Sequence, residues 1–356
     1  MRATFLAAAL ILIACPISDQ CFAEEQKQSS KINLKPLTVV GDFRGGTKDD
    51  VAVDISGISC LAPKNGKRGC LLINDENRNA QFATLETDQL MVGPTVTLIG
   101  KDPSPDTLGK KPKAKNMCDE KDGFKDLDGE GVAYAEPFFY VVGSHGCSRK
   151  SDKFRLSSFI LARVGSDPAE NVTTTYRVSE LLLLADKVAP FFGKDLETGN
   201  GLNIEGIAAI GDTLWVGLRA PVVDGNAYLV SGSISELFRA DHDQPVTKAR
   251  TVGIKLEGRG VRDLAALPDG RLLVLAGAAH GPEVPFKLFL VDDKGAKELG
   301  TLEGVVQDVN GEKTVGKAEG LAVLDATGNR AKFVVVFDAL VNGAPYSGEV
   351  TLPDPD

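Results

Sequence analysis

Short apolar runs, each the length of a β-strand, recur along the chain between turns rich in Gly, Pro, Asp and Asn. They are dense in Val, Ile, Leu and Phe, and one stretch alone carries a helical spacing, so the pattern predicts strands almost throughout. A four-residue phrase keeps opening the runs. It reads Ser56-Gly57-Ile58-Ser59, Glu130-Gly131-Val132-Ala133 and Glu205-Gly206-Ile207-Ala208, then a degenerate Arg262-Asp263-Leu264-Ala265, then Glu319-Gly320-Leu321-Ala322. Counted at the second position, the steps are 74, 75, 57 and 57 residues, the mark of an array of small supersecondary units.

Each phrase begins an inner strand. Second strands are predicted at 70–74, 138–143, 214–218, 271–276 and 333–337, and third strands at 81–85, 157–164, 227–231, 286–291 and 348–352. Outer strands fall at 95–98, 173–178, 250–255 and 297–302. Pro268-Asp269-Gly270 carries the chemistry of a tight turn between the first two strands of the fourth repeat. The fold class is therefore all-β: a β-propeller of about five four-stranded blades, with six as the alternative. Residues 34–40 have no partner nearby and are expected to complete the last blade, locking first to last and removing the exposed edge.

The two longer steps hold insertions. One covers residues 101–125 and carries Lys110, Lys111, Lys113 and Lys115. The other covers 180–202 and includes a Leu-rich helix at 180–188, with Ser179 as N-cap and Pro190 as stop. Both lie between an outer strand and the next inner strand, which places them on one face of the ring. Long loops on one face of a repeat array mark a binding face. The lysines alone describe a solvated loop equally well.

Strand direction gathers polar residues on that face. The inner strands begin at Asp54, Ser56, Glu130, Glu205, Arg262, Asp263 and Glu319. The second strands end at Asp75, Glu76, Ser144, His145, Arg219, His280 and Asp338. A ring would bring these remote residues to one channel mouth. Three readings of the glutamates stay open. Glu130, Glu205 and Glu319 form an oxygen set suited to a divalent cation such as Ca2+. One of them, with Glu205 the candidate, serves instead as a general acid with a pKa raised by its neighbours. Or the Glu-Gly phrase assembles the blades, glutamate accepting backbone N–H bonds and glycine permitting close approach. Arg219, Asp75, Arg262 and Asp338 are the candidate ligand-binding residues. His145, between glycines, is a candidate proton carrier. Ser144 lacks the surroundings of a hydrolase nucleophile.

Composition narrows the partners. Over 356 residues the net charge is -9, which excludes a general nucleic-acid binder. The expected partner is a small-molecule or peptidic ligand, and the expected state is a monomer. No apolar run beyond the first two dozen residues reaches membrane-spanning length. Met1-Arg2 followed by apolar residues 5–14 reads as a secretory signal. Cleavage after Ala23 is the reading adopted, leaving a polar, disordered segment to residue 32 and a single propeller domain over 33–356. The alternative is a lipobox, Leu12-Ile13-Ala14-Cys15, with Cys15 lipid-anchored. Export makes the chain periplasmic or secreted. It also makes disulfides the favoured state of Cys60, Cys70, Cys118 and Cys147, with 60–70 and 118–147 the pairing that suits the blades.

Together, Glu205-Gly206-Ile207-Ala208 and Gly217-Leu218-Arg219-Ala220-Pro221 give the chain a resemblance to a family of exported bacterial propellers catalogued as a domain of unknown function, over residues 39–352. It is also loosely similar to phytase-like and esterase-like propellers, whose blades open on Glu-Gly-aliphatic-Ala. That similarity carries over to Glu130, Glu205 and Glu319 only; Ser56 and Arg262 depart from it. Two functions follow as expectations. The first is a non-catalytic envelope propeller binding a small or anionic ligand at the channel mouth, with or without a divalent cation. The second is a calcium-dependent hydrolase of an anionic ester, with Arg219 and the insertion lysines holding the anion and His145 moving protons.

Overall fold

In a computed structural model the described residues are 29–354, apart from 47–49, 116, 122, 149–150 and 168–170. The signal segment with its two processing readings, and residues 24–28 of the polar segment, lie outside them. Five antiparallel sheets form the blades of a propeller. Blade 1 runs Ile55–Cys60, Lys67–Asn74, Asn79–Glu86 and Gln89–Thr97 from the axis outwards. Blade 2 is Gly129–Ala135, Phe138–Gly143, Leu161–Gly165 and Thr173–Thr175. Blade 3 is Asn203–Ile210, Thr213–Ala220, Asn226–Ser233 and Arg250–Lys255. Blade 4 is Gly260–Ala266, Leu272–Gly277, Lys287–Asp292 and Gly295–Leu302. Blade 5 is Lys317–Thr327, Arg330–Asp338 and Tyr346–Thr351, with Leu34–Pro36 as its outer strand.

The N-terminal closure goes further than a single strand. Leu34–Pro36 pairs antiparallel with Tyr346–Thr351, as expected. Lys31–Ile32 also adds in parallel to the outer strand of blade 4, and Thr38–Val40 to that of blade 1. One extended segment thus straps three blades. Ordered pairing starts inside the segment expected to be disordered, because Ile32 is buried among Leu302 and its neighbours while Thr301 donates to the Ser30 carbonyl at 2.9 Å.

Apolar faces meet between blades: Phe82 packs edge-on against Phe139, with ring centroids 6.2 Å apart. The phrase glycines lie where the inner strands crowd the axis. A Cβ at Gly131 would stand 2.9 Å from the Ile207 nitrogen, and one at Gly206 would stand 2.5 Å from Asp263 Oδ1, so neither position accepts a side chain without displacing the next blade.

Blade 2 departs from expectation. Its third strand begins at Leu161, because Leu156–Phe159 winds into a 3₁₀ turn held by Ser158, whose N–H and hydroxyl both donate to the Arg155 carbonyl. Its outer strand stops at Thr175, whose hydroxyl accepts the Arg177 N–H, and helix α1 follows at Arg177–Leu184. The helix therefore starts earlier than predicted. Ser179 is buried within it, and Pro190 sits in the later turn Ala189–Phe191. A second short helix, α2, spans Leu196–Gly199.

Both disulfides are formed. Cys60 and Cys70 face each other across the first two strands of blade 1. Cys118–Cys147 ties the first insertion to the loop after the second strand of blade 2, and the Cys118 N–H donates to the Gly193 carbonyl at 2.8 Å, adding the second insertion. Among the described residues no helix is long and apolar enough to cross a membrane.

Candidate functional site

The register of the sheets explains how the mouth of the channel is furnished. In every blade the pairing of the first two strands slips by one residue at the opening phrase: between Ile55 and Gly57, Gly129 and Gly131, Ile204 and Gly206, Val261 and Asp263, and Ala318 and Gly320. The skipped residues are Ser56, Glu130, Glu205, Arg262 and Glu319. Each is the extra residue of a β-bulge, which bends the strand and re-aims that side chain. Five repeats thus present five bulged side chains to the axis. Arg219 is skipped in the same way on the second strand of blade 3.

These groups meet. Oxygens of Glu130, Glu205 and Glu319 lie within 4.8 Å of one another. Arg262, 1% exposed, reaches Glu205 Oε2 with Nε at 3.6 Å and contacts Glu319 Oε1 through Nη2. Arg219 Nη1 donates to Glu205 Oε1 at 3.1 Å, and its Nε donates to the Ala279 carbonyl at 3.0 Å. The arginines expected to meet an anionic ligand are therefore engaged by carboxylates. Glu130 has a different setting. It faces Glu205, Asp128, Glu319 and Asp75, and among the described residues no cation pairs with it.

Asp54, Asp75 and Asp338 gather on the blade 5 and blade 1 side of the same mouth, where Lys317 donates to Asp338 at 2.7 Å. Crowding and burial act together on the acids. Burial, then Asp128 and Asp54, push Asp75 up to about 9. Burial, opposed by Arg262 and reinforced by Asp338, takes Glu319 to about 8. Burial and Asp338 lift Asp54 to about 6. Burial, with Glu205 and Asp128 beside it, raises Glu130 well above the carboxylate range.

A cleft of about 280 Å³ opens from Glu130, Glu205 and Arg219 between blades 2 and 3. Both insertions shape it, the first through Lys121 and the second through Leu196, and Asp126 and Asp128 line it just after the first. Arg155 Nη1 holds Asp126 at 2.6 Å, the Ser144 hydroxyl donates to Asp128 Oδ2, and Asn203 lines the wall with Oδ1 lacking a hydrogen-bond partner. At the far end of the channel the inner strands enclose about 100 Å³ of space around Val132, Ile207, Leu264 and Leu321.

Three expectations are corrected. His145 is fully buried; its Nδ1 meets the Gly143 carbonyl at 2.9 Å, its ring packs against Phe159, and burial takes its pKa down to about 4. A neutral imidazole walled off from the cleft is no proton carrier for it. The lysines Lys110, Lys111, Lys113 and Lys115 are exposed and do not line the cleft; Lys121 and Lys153 do. Finally, the acceptor that staples one blade to the next is Asp263, which takes the Leu264 N–H at 2.7 Å and the Leu321 N–H at 2.5 Å, while the glutamates face the mouth. Sequence reasoning passed over Asp128, Asn203 and Lys317. They share one signal, standing two residues before a bulged residue, as Asp54 does.

The family described as "Protein of unknown function (DUF3616)" matches residues 168–347, from the end of blade 2 to the start of the third strand of blade 5. The chain belongs to the DUF3616 family. No curated protein matches this DUF3616 chain in sequence. Among solved structures it is similar to the catalytic domain of the Coprinopsis cinerea GH62 alpha-L-arabinofuranosidase, at 10% identity and a TM-score of 0.46, over 91% of this chain and 97% of that one. It is also similar to an exo-beta-1,3-galactanase from Clostridium thermocellum, at 10% identity and a TM-score of 0.45, over 91% of this chain and 63% of that one.

Proposed function

We propose that this DUF3616 protein is an exported propeller that binds a small, neutral, polyhydroxylated ligand in the cleft at its channel mouth. The observation that carries the reading is the mixture of acidic, basic and neutral polar groups along the cleft wall. Asp126, Asp128, Glu130 and Glu205 line it together with Lys121, Lys153, Arg155 and Arg219, with Ser144, Ser148, Ser158 and Asn203 beside them. An anion would have to displace carboxylates from Arg219, and a cation would meet the rim lysines. A ligand bearing hydroxyls donates to the acids and accepts from the cations at once, as such a wall requires. Export is supported by the apolar N-terminal stretch and by two disulfides, which persist in oxidising compartments.

Calorimetric titration of the exported chain with a panel of pentoses, hexoses and their disaccharides tests the reading. Saturable binding is expected, weakened at least tenfold by Asn203→Ala and left unchanged by Asp338→Asn across the mouth. No heat from any member, or equal effects of the two variants, contradicts it. A second reading retains Ca2+, because the oxygens of Glu130, Glu205 and Glu319 stand close enough to share an ion. Arg262 already supplies a cation beside two of them, which puts the ligand first. Calcium titration followed by melting temperature separates the two, since an ion held by the folded state raises its stability with concentration.

A further inference from the structure

The floor of the cleft differs from its wall. Its two central carboxyls, Glu130 and Glu205, have oxygens within 4.8 Å of each other but opposite surroundings. Glu205 lies between Arg219 and Arg262, paired with them at 3.1 and 3.6 Å. Glu130 has acids around it, makes no ion pair among the described residues, and lines the open cleft. A third observation points to a missing ligand atom: Asn203 is nine-tenths buried, lines the same cleft, and has an amide oxygen with no partner.

We propose that the cleft hydrolyses an acetal bond of the kind that links two sugar units, with Glu130 giving its proton to the bridging oxygen and Glu205 facing the carbon that becomes positive. The proposal rests on the binding reading above and adds chemistry to it. The sign of the field selects the reaction. Ester and phosphoryl hydrolysis develop negative charge on oxygen and need donors aimed at it. Here Arg219 and Arg262 are paired with Glu205 and Glu319, and the group beside Glu130 at the cleft floor is Glu205. A carboxylate at that place favours an oxocarbenium ion over an oxyanion.

The step balances without a further reagent. The bond from carbon to the bridging oxygen breaks, and its electron pair leaves with that oxygen, which takes the Glu130 proton. The ring oxygen shares the positive charge, opposite the Glu205 carboxylate. Water then adds its oxygen to the carbon and returns a proton to Glu130. Carboxyls this close fit the short spacing of configuration-retaining glycoside cleavage, where about 5–5.5 Å is usual, and leave no room for a water between them. Water therefore enters from the Glu130 side after the leaving group departs. Burial and neighbouring carboxylates, which keep Glu130 protonated, support the assignment.

The test uses the exported chain and 4-nitrophenyl glycosides of pentoses and hexoses in both anomeric forms, beside alkyl and 2,4-dinitrophenyl glycosides of any sugar cleaved. Cleavage of at least one sugar is expected, with retained configuration by proton NMR. Glu130→Gln, which breaks no ion pair, should lower kcat/KM by about 10²–10⁴-fold on the alkyl glycoside. Its effect should be far smaller on the dinitrophenyl glycoside, whose leaving group needs no proton, and its melting temperature should match the parent. Equal losses on both leaving groups, or none, overturn the role of Glu130. Sugar binding by calorimetry without cleavage overturns the activity and leaves the binding reading standing. Neither binding nor cleavage overturns both.

Discussion

Replacing Arg262 with methionine removes the guanidinium around which the channel mouth is neutralised. Arg262 is 1% exposed, and the two carboxylates it faces, Glu205 and Glu319, come from blades 3 and 5. At 3.6 Å and an effective dielectric near 20, the contact with Glu205 alone is worth about 4–5 kcal/mol before desolvation is set against it. Breaking a buried pair by removing one partner costs about 3–5 kcal/mol net, because the other charge stays buried. The stranded acids have a remedy: they take up protons. Each proton held by the folded chain and absent from the unfolded one changes stability by about 1.4 kcal/mol per pH unit. The loss in Arg262→Met is therefore expected to be about 3–5 kcal/mol at pH 8 and to shrink to about 1–2 kcal/mol at pH 5. Urea unfolding of parent and variant at the two pH values measures it. Arg262→Lys should recover only part, since one ammonium cannot span both carboxylates. Equal losses at pH 5 and pH 8, or less than about 1 kcal/mol at pH 8, would refute the reasoning.

Other consequences are as direct. Asp263→Ala should destabilise by about 2–4 kcal/mol, because the N–H groups of Leu264 and Leu321 lose their acceptor inside the ring; urea unfolding reads it, and a loss under about 1 kcal/mol contradicts the staple. Replacing Cys118 and Cys147 together by serine should cost about 3–4 kcal/mol by freeing a crosslink between residues 29 apart, and should leave the first disulfide intact by mass spectrometry. The parent should also lose stability as pH rises. Asp54, Glu319 and Asp75 have folded values of about 6, 8 and 9, all above the unfolded value. The folded chain then holds more protons than the unfolded one, so the contribution is full in acid and fades as pH rises through those values. A melting temperature higher at pH 5.5 than at pH 8.5 is expected, and the reverse order contradicts it.

The architecture was legible because each blade announces itself. The phrase glycines at 57, 131, 206 and 320 are needed where inner strands crowd the axis, and Asp263 stands in that place in blade 4 because its carboxylate bonds the next blade instead. The site was legible only in outline. Strand direction says that Glu130, Glu205 and Glu319 share a face, but a bulge is a property of pairing register, and no local pattern at Ile204-Glu205-Gly206 reveals it. Partners were out of reach for the same reason. Whether Arg219 meets a ligand or Glu205 depends on where each side chain is re-aimed, and Arg219 is itself bulged. His145 misled because a loop between glycines looks exposed; here the insertion carrying Phe192 covers it, and Phe192 packs on the Phe159 ring that touches the imidazole. The start of α1 was missed because Thr175 ends a strand and receives the first helical N–H with the same hydroxyl side chain.

The central claim is that bulged residues from separate blades crowd their carboxyls around one axis. Carbon-13 titration of the glutamate side-chain carboxyls, assigned with Glu130→Gln and Glu319→Gln, addresses it directly. The account predicts that the resonances lost in those two variants still report protonated carboxyls at pH 7, the Glu319 signal moving near pH 8. If both titrate below pH 5 with the surface glutamates, the carboxyls do not share a mouth and the account fails.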